Sequence, residues 1–161
     1  MSDGSTVHRY AAVCTWEGST GVGYAAYDRG HHVHALPSRD ELRLTSDPAF
    51  GGDPASLNPE QLLLAAASSC QLLAFLAVAA RARVDVVAYR DEASAEMPEP
   101  TTGGSTTMWI ERIVLRPMIT VRGTTSDDRL RRLVDLAHRE CFIANSLRSE
   151  MSIEPVILRA A

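Results

Sequence analysis

Cys70 and Cys141 are the residues of this chain whose types and spacing best support covalent chemistry. Cys70 sits near the middle of NPEQLLLAAASSCQLLAFLAVAA, residues 58–80, a stretch apolar on nearly every side. Cys141 ends a helical stripe formed by Leu130, Leu133, Val134 and Ala137. A single cysteine in an apolar helix is ordinarily inert filler. Two cysteines on two core-facing stripes admit another reading, in which the helices pack and bring the sulfurs together. A peroxide-reducing dithiol needs that arrangement. One thiolate attacks the O–O bond and becomes a sulfenic acid, and the second thiol condenses with it to a disulfide. Bridging requires Cα atoms within about 7 Å. The third cysteine, Cys14, lies in a strand-like segment and reads as structural.

An attacking sulfur must be a thiolate, and apolar burial raises a thiol pKa, so a positive charge is needed nearby. All 16 basic residues are arginine, which excludes a lysine base or Schiff base. Arginine is always ionised and donates to both sulfur and peroxide oxygen. A carboxylate must orient that arginine, and Glu60 is the nearest candidate. Its bland alternative is a favourable charge in the first turn of a helix. Glu60 and Cys70 are ten residues apart, about 15 Å along a straight helix. If both serve one site, either the carboxylate comes from another protomer or a long arginine bridges the gap. An intertwined dimer with sites at the interface is the expected solution.

The elements that must position these groups are legible in outline. YAAVCTW, VGYAAYDRG and HHVHAL read as strands, and 45–57 as a loop dense in Gly, Pro and Asp. The long helix starts with an Asn58 cap, Pro59 at its first position and Gln61 at capping-box spacing, and should end near Ala82. VDVVAYRDEASAEM and MWIERIVLRPMITVRG read as a long hairpin joined by the turn PEPTTGGSTT. A second helix should start at Ser126. NSLRSEM reads as a short further helix and SIEPVIL as a closing strand. The order gives an α+β class, and 161 residues without a long linker give a single domain, 1–161.

A net charge of −4 excludes a generic nucleic-acid binder. The polar start MSDGSTVHRY has no secretory leader pattern. The run from Leu62 to Ala80 approaches membrane-span length, but its alanines, serines and glutamine make a buried helix the expected reading, with no membrane partner. Three widely spaced cysteines do not make a disulfide framework, so a reducing, cytoplasmic location is expected.

NPEQLLLAAASSC followed by AHRECFIANSL resembles the OsmC/Ohr family of thiol peroxidases. The family pattern is Asn-Pro-Glu, a run of small residues, a cysteine ten residues after the glutamate and a second cysteine in a later helix. Asn58, Pro59, Glu60, Cys70 and Cys141 match it, and WEGSTGVG near the start is family-like as well. The element order is similar over nearly the whole chain. The resemblance implies an OsmC-like fold, an intertwined homodimer with two central helices packed against and wrapped by antiparallel sheets. It implies Cys70 as the peroxidatic cysteine, Cys141 as the resolving one and Glu60 as the residue orienting a catalytic arginine. The resemblance places that arginine in the N-terminal strands or the loop before Asn-Pro-Glu, so the candidates are Arg29 in YDRGHH, Arg39 in PSRDE and Arg43 in LRL; Arg29 is favoured, because GYAAYDRGHHV resembles a branch with a Tyr-x-Arg-x-His stretch. Organic or lipid hydroperoxides are the implied substrates and a dihydrolipoyl dithiol the implied reductant, with no cofactor or metal. Where many relatives continue Cys-Pro-x-Ser, this chain reads Cys141-Phe142-Ile143-Ala144.

The histidines offer rival readings. His32 and His34 share a strand face, and His138 precedes Cys141 by one helical turn. His138, Cys141 and Cys70 make one conceivable zinc site, although no CxxC or HxxxH pair anchors it. His138 alternatively serves Cys141 as a base or lies on the solvent side of its helix. A non-enzymatic redox sensor or a binder of apolar ligands is the remaining alternative for the fold.

Overall fold

The computed structural model describes residues 6–100 and 107–160, so most of the PEPTTGGSTT turn lies outside the described residues. The chain forms two compact units, Met1–Leu62 and Leu63–Ala161. In the first, strands β1 (Ala11–Thr15), β2 (His31–Leu36) and β3 (Glu41–Leu44) form an antiparallel sheet in that order. Cys14 pairs with Val33 and Thr15 with His32, so Cys14 and His31 lie on one face while His32, His34 and Arg43 lie on the other.

The VGYAAYDRG strand expected from sequence is absent. Thr20–Val22 forms a 3-10 turn capped by Ser19, and the chain curls so that Ala26 and Tyr27 both donate to Gly23 O. Gly23 at φ +94 permits the reversal. Val22 and Tyr24 stay exposed, so their alternation reflects no buried face. β3, in turn, was not legible: its ELRL has one buried residue, Leu44.

Helix α1 (Pro59–Arg81) starts where the sequence places it. Asn58 Oδ1 accepts the Gln61 N–H at 2.8 Å, and Gln61 Oε1 accepts the Asn58 N–H at 3.1 Å. This is a reciprocal capping box. The helix ends in a Schellman motif, with Arg83 N–H donating to Ala80 O and Val84 N–H to Ala79 O. Arg83 takes the left-handed φ of 58° that glycine usually occupies there.

In the second unit the expected hairpin is present but broken in two. β4 (Asp85–Asp91) pairs antiparallel with β7 (Pro117–Arg122), and β5 (Ser94–Glu96) with β6 (Arg112–Leu115). Pro117 has no N–H to donate, so the ladder stops there, and Asp91 Oδ1 takes the Arg116 N–H at 2.7 Å. The closing segment splits likewise at Pro155 into β8 (Glu150–Ile153) and β9 (Val156–Arg159). β8 runs parallel to β6 and β9 parallel to β7. Two of the three sheets are therefore mixed rather than wholly antiparallel as expected, and the class is α+β.

Helix α2 (Asp127–Glu140) is capped by Ser126, as its sequence predicts. Its Leu130, Val134 and Ala137 pack with Phe75, Val78 and Ala79 of α1 and with Ile119 and Val121 of β7. A second cluster joins Ala67 of α1 to Ile110, Ile113 and Leu115, with Ile143 and Leu147 against it. The short helix expected in NSLRSEM is a single 3-10 turn, Ala144–Ser146. The α1 stripe Ala67, Gln71, Phe75, Val78 and Ala79 is buried, at spacings of 4, 4, 3 and 1. The rest of α1 is not the buried core helix expected: only 28% of its most apolar window is covered, and Leu73 is 63% exposed. By length and composition alone α1 would also reach across a membrane.

Candidate active site

Two groups of chemically capable residues emerge, one in each unit. In the second unit, Cys70 lies on α1 between the two core clusters, and Cys141 is the C-cap of α2. Both are free thiols, Cys70 half-buried and Cys141 buried. The two side chains lie close enough for Cys70 to help raise the Cys141 pKa. Cys70 Sγ also accepts the Ile143 N–H, and Cys141 Sγ the Ala144 N–H, each at 3.5 Å. Burial, foremost, together with contact with Cys70, pushes the Cys141 thiol up to about 11. The two sulfurs thus accept from consecutive backbone amides of one chain, those of Ile143 and Ala144.

The same unit holds further polar groups, of which only His138 was singled out by its spacing in the sequence. Ser68 Oγ donates to Asp91 Oδ2 at 2.5 Å, two residues before Cys70. Tyr89, two residues before Asp91 on β4, buries its hydroxyl without a partner. Burial, then the charge of Asp91, then Cys141 push its ionisation above the ordinary phenol range. His138 is half-buried with Nδ1 buried and unpartnered, so it is not simply a solvent-side residue.

In the first unit, a cavity of about 500 Å³ is lined by Cys14, Trp16, Tyr27, Arg29, His31 and Glu60, with Asp47 and Phe50 among its further walls. Of the three candidate arginines, Arg29 faces this cavity. Arg43 lines a separate polar depression on the other sheet face with His32 and Glu41, which pair at 3.4 Å. Arg39 is exposed in the turn after β2.

Arg29 is held rigidly. Its guanidinium donates to Tyr27 O at 2.9 Å and Tyr24 O at 2.7 Å, and lies over the Tyr27 and Tyr24 rings at 4.2 and 5.0 Å. Gly51, at φ +81, closes against it; a Cβ there would come within 3.0 Å of Arg29 Cζ. The expected Glu60–Arg29 ion pair is not formed among the described residues. Two carbonyls take two of the five guanidinium N–H donors instead, and Glu60 shares the cavity without an ion pair to it. Cys14, expected to be structural, is exposed on the cavity wall. His31 is a site residue that the sequence hides behind the alternation of His32 and His34. The Arg29-x-His31 spacing, which puts both on one face of an extended segment, was the available signal.

Among the described residues no three His, Cys, Asp or Glu side chains converge as a metal-binding group, which removes support from the Cys70–Cys141–His138 zinc alternative.

Residues 51–156 match the family model described as OsmC-like protein. An OsmC-like protein of unknown function from Vibrio cholerae O1 biovar eltor superposes with a TM-score of 0.81 at 28% identity, covering 93% of this chain and all of that one. An organic hydroperoxide resistance protein from Elizabethkingia anophelis, with thiocyanate bound, gives 0.69 at 20%, covering 96% and 99%. A third structure, a putative organic hydroperoxide resistance protein of Vibrio cholerae with captopril in one active site, gives 0.61 at 23%, covering 97% and 95%. No curated protein matches by sequence.

Proposed function

The chain belongs to the OsmC-like family, and from that premise we propose that it is a thiol-dependent peroxidase acting on organic hydroperoxides. The observation that carries this reading is the placing of both sulfurs on one turn, Cys70 Sγ on the Ile143 N–H and Cys141 Sγ on the Ala144 N–H, each at 3.5 Å. A peroxide-related redox role also agrees with the structural likeness to organic hydroperoxide resistance proteins.

In the proposed cycle, the Cys70 thiolate attacks the terminal oxygen of the hydroperoxide. An S–O bond forms, the O–O bond breaks, and the leaving alkoxide takes up a proton to become an alcohol. Cys141, after losing its proton, attacks the Cys70 sulfur. An S–S bond forms, and hydroxide leaves and is protonated to water. An external dithiol of the lipoyl class then returns both cysteines to thiols and is itself oxidised to a disulfide. Cys70 takes the first role because it is the more accessible of the two sulfurs; a buried thiol with a raised pKa suits the second.

Arg29 and Glu60 complete the site from a second copy of the chain. Two features support this. Ten helical residues separate Glu60 from Cys70, about 15 Å along the axis. The exposed apolar face of α1 also calls for a cover. Arg29 stabilises the charge developing on the peroxide oxygens, and Glu60 helps orient it once substrate enters. Trp16, Tyr27 and Phe50 give the cavity an apolar lining that favours an organic tail over hydrogen peroxide.

The test is turnover of cumene hydroperoxide with dihydrolipoamide as reductant. The reading expects catalytic consumption by the wild type and none after Cys70→Ser. No turnover by the wild type, or full turnover by Cys70→Ser, removes it.

A further inference from the structure

The thiolate that the cycle requires needs a donor within reach of Cys70 Sγ, and its own unit supplies one from the backbone. The titratable side chains of the packed elements here are Cys141 and His138 on α2 and Tyr89 and Asp91 on β4. Asp91 is tied to Ser68 on the same helix as Cys70. That donor is the Ile143 N–H, which reaches Cys70 Sγ at 3.5 Å and is fixed in the backbone.

That amide is held from both sides. Asn145 N–H donates to Cys141 O at 3.1 Å, Ser146 Oγ to Phe142 O at 2.8 Å, and Asn145 Nδ2 to Arg139 O at 2.9 Å. The Ile143 side chain packs against the second core cluster. The N–H therefore keeps its aim without reorganising when the sulfur charges. An N–H bond to an ionised acceptor is about twice as strong as one to a neutral acceptor, and a neutral thiol accepts only weakly.

We propose that the Ile143 backbone N–H is a catalytic donor that holds Cys70 as a thiolate from within the same protomer, separately from any arginine. The inference rests on the reading of Cys70 as the attacking sulfur. Ionisation breaks the S–H bond and releases the proton to water, and the amide bond strengthens as it does so. When the sulfur attacks peroxide, its charge passes to the alkoxide and the amide bond relaxes.

Ile143 has φ −67°, the angle a proline ring imposes, so Ile143→Pro removes the N–H with little demand on this residue's own backbone. The readout is alkylation of Cys70 by iodoacetamide in the reduced full-length protein, followed by peptide mass at pH 7 and pH 10. Ile143→Pro should slow alkylation about tenfold at pH 7, in line with loss of one charge-assisted hydrogen bond, and little at pH 10. Ile143→Ala, which keeps the N–H, should retain the wild-type ratio of the two rates. Equal slowing at both pH values, or none, overturns the proposal. If Ile143→Pro does not fold, the wild type decides: the Ile143 amide proton resonance should move with pH in step with Cys70 alkylation, and stop moving in Cys70→Ser. An amide resonance indifferent to Cys70 overturns it. Neither readout uses peroxide, so failure here is distinct from failure of turnover.

Discussion

Burial makes Cys141 a reluctant nucleophile, and this separates the two chemical steps by pH. Its thiol is pushed up to about 11, chiefly by desolvation, which persists after Cys70 is oxidised. Below that value the proton stays on, and each pH unit lower makes the thiolate about tenfold scarcer. Disulfide formation should therefore accelerate about tenfold between pH 7 and pH 8, as read by rapid quench and sulfenate trapping. Cys141→Ser should consume about one equivalent of peroxide and then stall at the sulfenic or sulfinic stage. At Arg29, Gly51→Ala should displace the guanidinium, because a Cβ there meets Cζ at 3.0 Å and φ is +81°. Since a 1 Å misplacement costs up to a hundredfold, kcat/KM for cumene hydroperoxide should fall about tenfold or more. That both sulfurs face the turn at Ile143 and Ala144 was partly legible, because helical stripes predict which side chains face a core. The hold on Arg29 was not, since its partners are backbone carbonyls in a curl that no side-chain pattern encodes. Cys14 and His31 were hidden for a related reason: the cavity they line depends on how the loop at 45–57 folds back.

At the scale of elements, the reciprocal cap at the start of α1 is the feature the sequence displayed most fully. Asn58 is buried, and its Nδ2 also donates to Asp47 Oδ2 at 3.3 Å. Asn58→Ala should cost about 1 kcal/mol, lowering Tm by about 2–4 °C in a domain of this size. A thermal melt of the reduced protein checks this. The end of α1 was only roughly legible, because an arginine in the left-handed C′ position gives no warning where glycine would. The split strands follow from Pro117 and Pro155, which interrupt two neighbouring ladders at matching places. Each proline was visible, but the partners β8 and β9 run parallel to, and so far in sequence from, the strands they join that local periodicity says nothing of them.

For the whole molecule, the exposed apolar face of α1 is the unfinished surface. The sequence made this helix look buried, and in a single chain most of it is not. Under the proposed function a second copy covers it and supplies Arg29 and Glu60. Light scattering should then find a particle of twice 17.5 kDa. Leu73→Asp, placed on that face where Leu73 is 63% exposed, should shift the protein toward monomer and lower turnover in parallel. The central claim, though, concerns the two sulfurs, and peptide mapping after one equivalent of cumene hydroperoxide addresses it most directly. A cross-linked peptide pair joining Cys70 to Cys141, formed in step with one equivalent of cumyl alcohol, is the predicted result. Intact hydroperoxide beside two free thiols at these positions would contradict it.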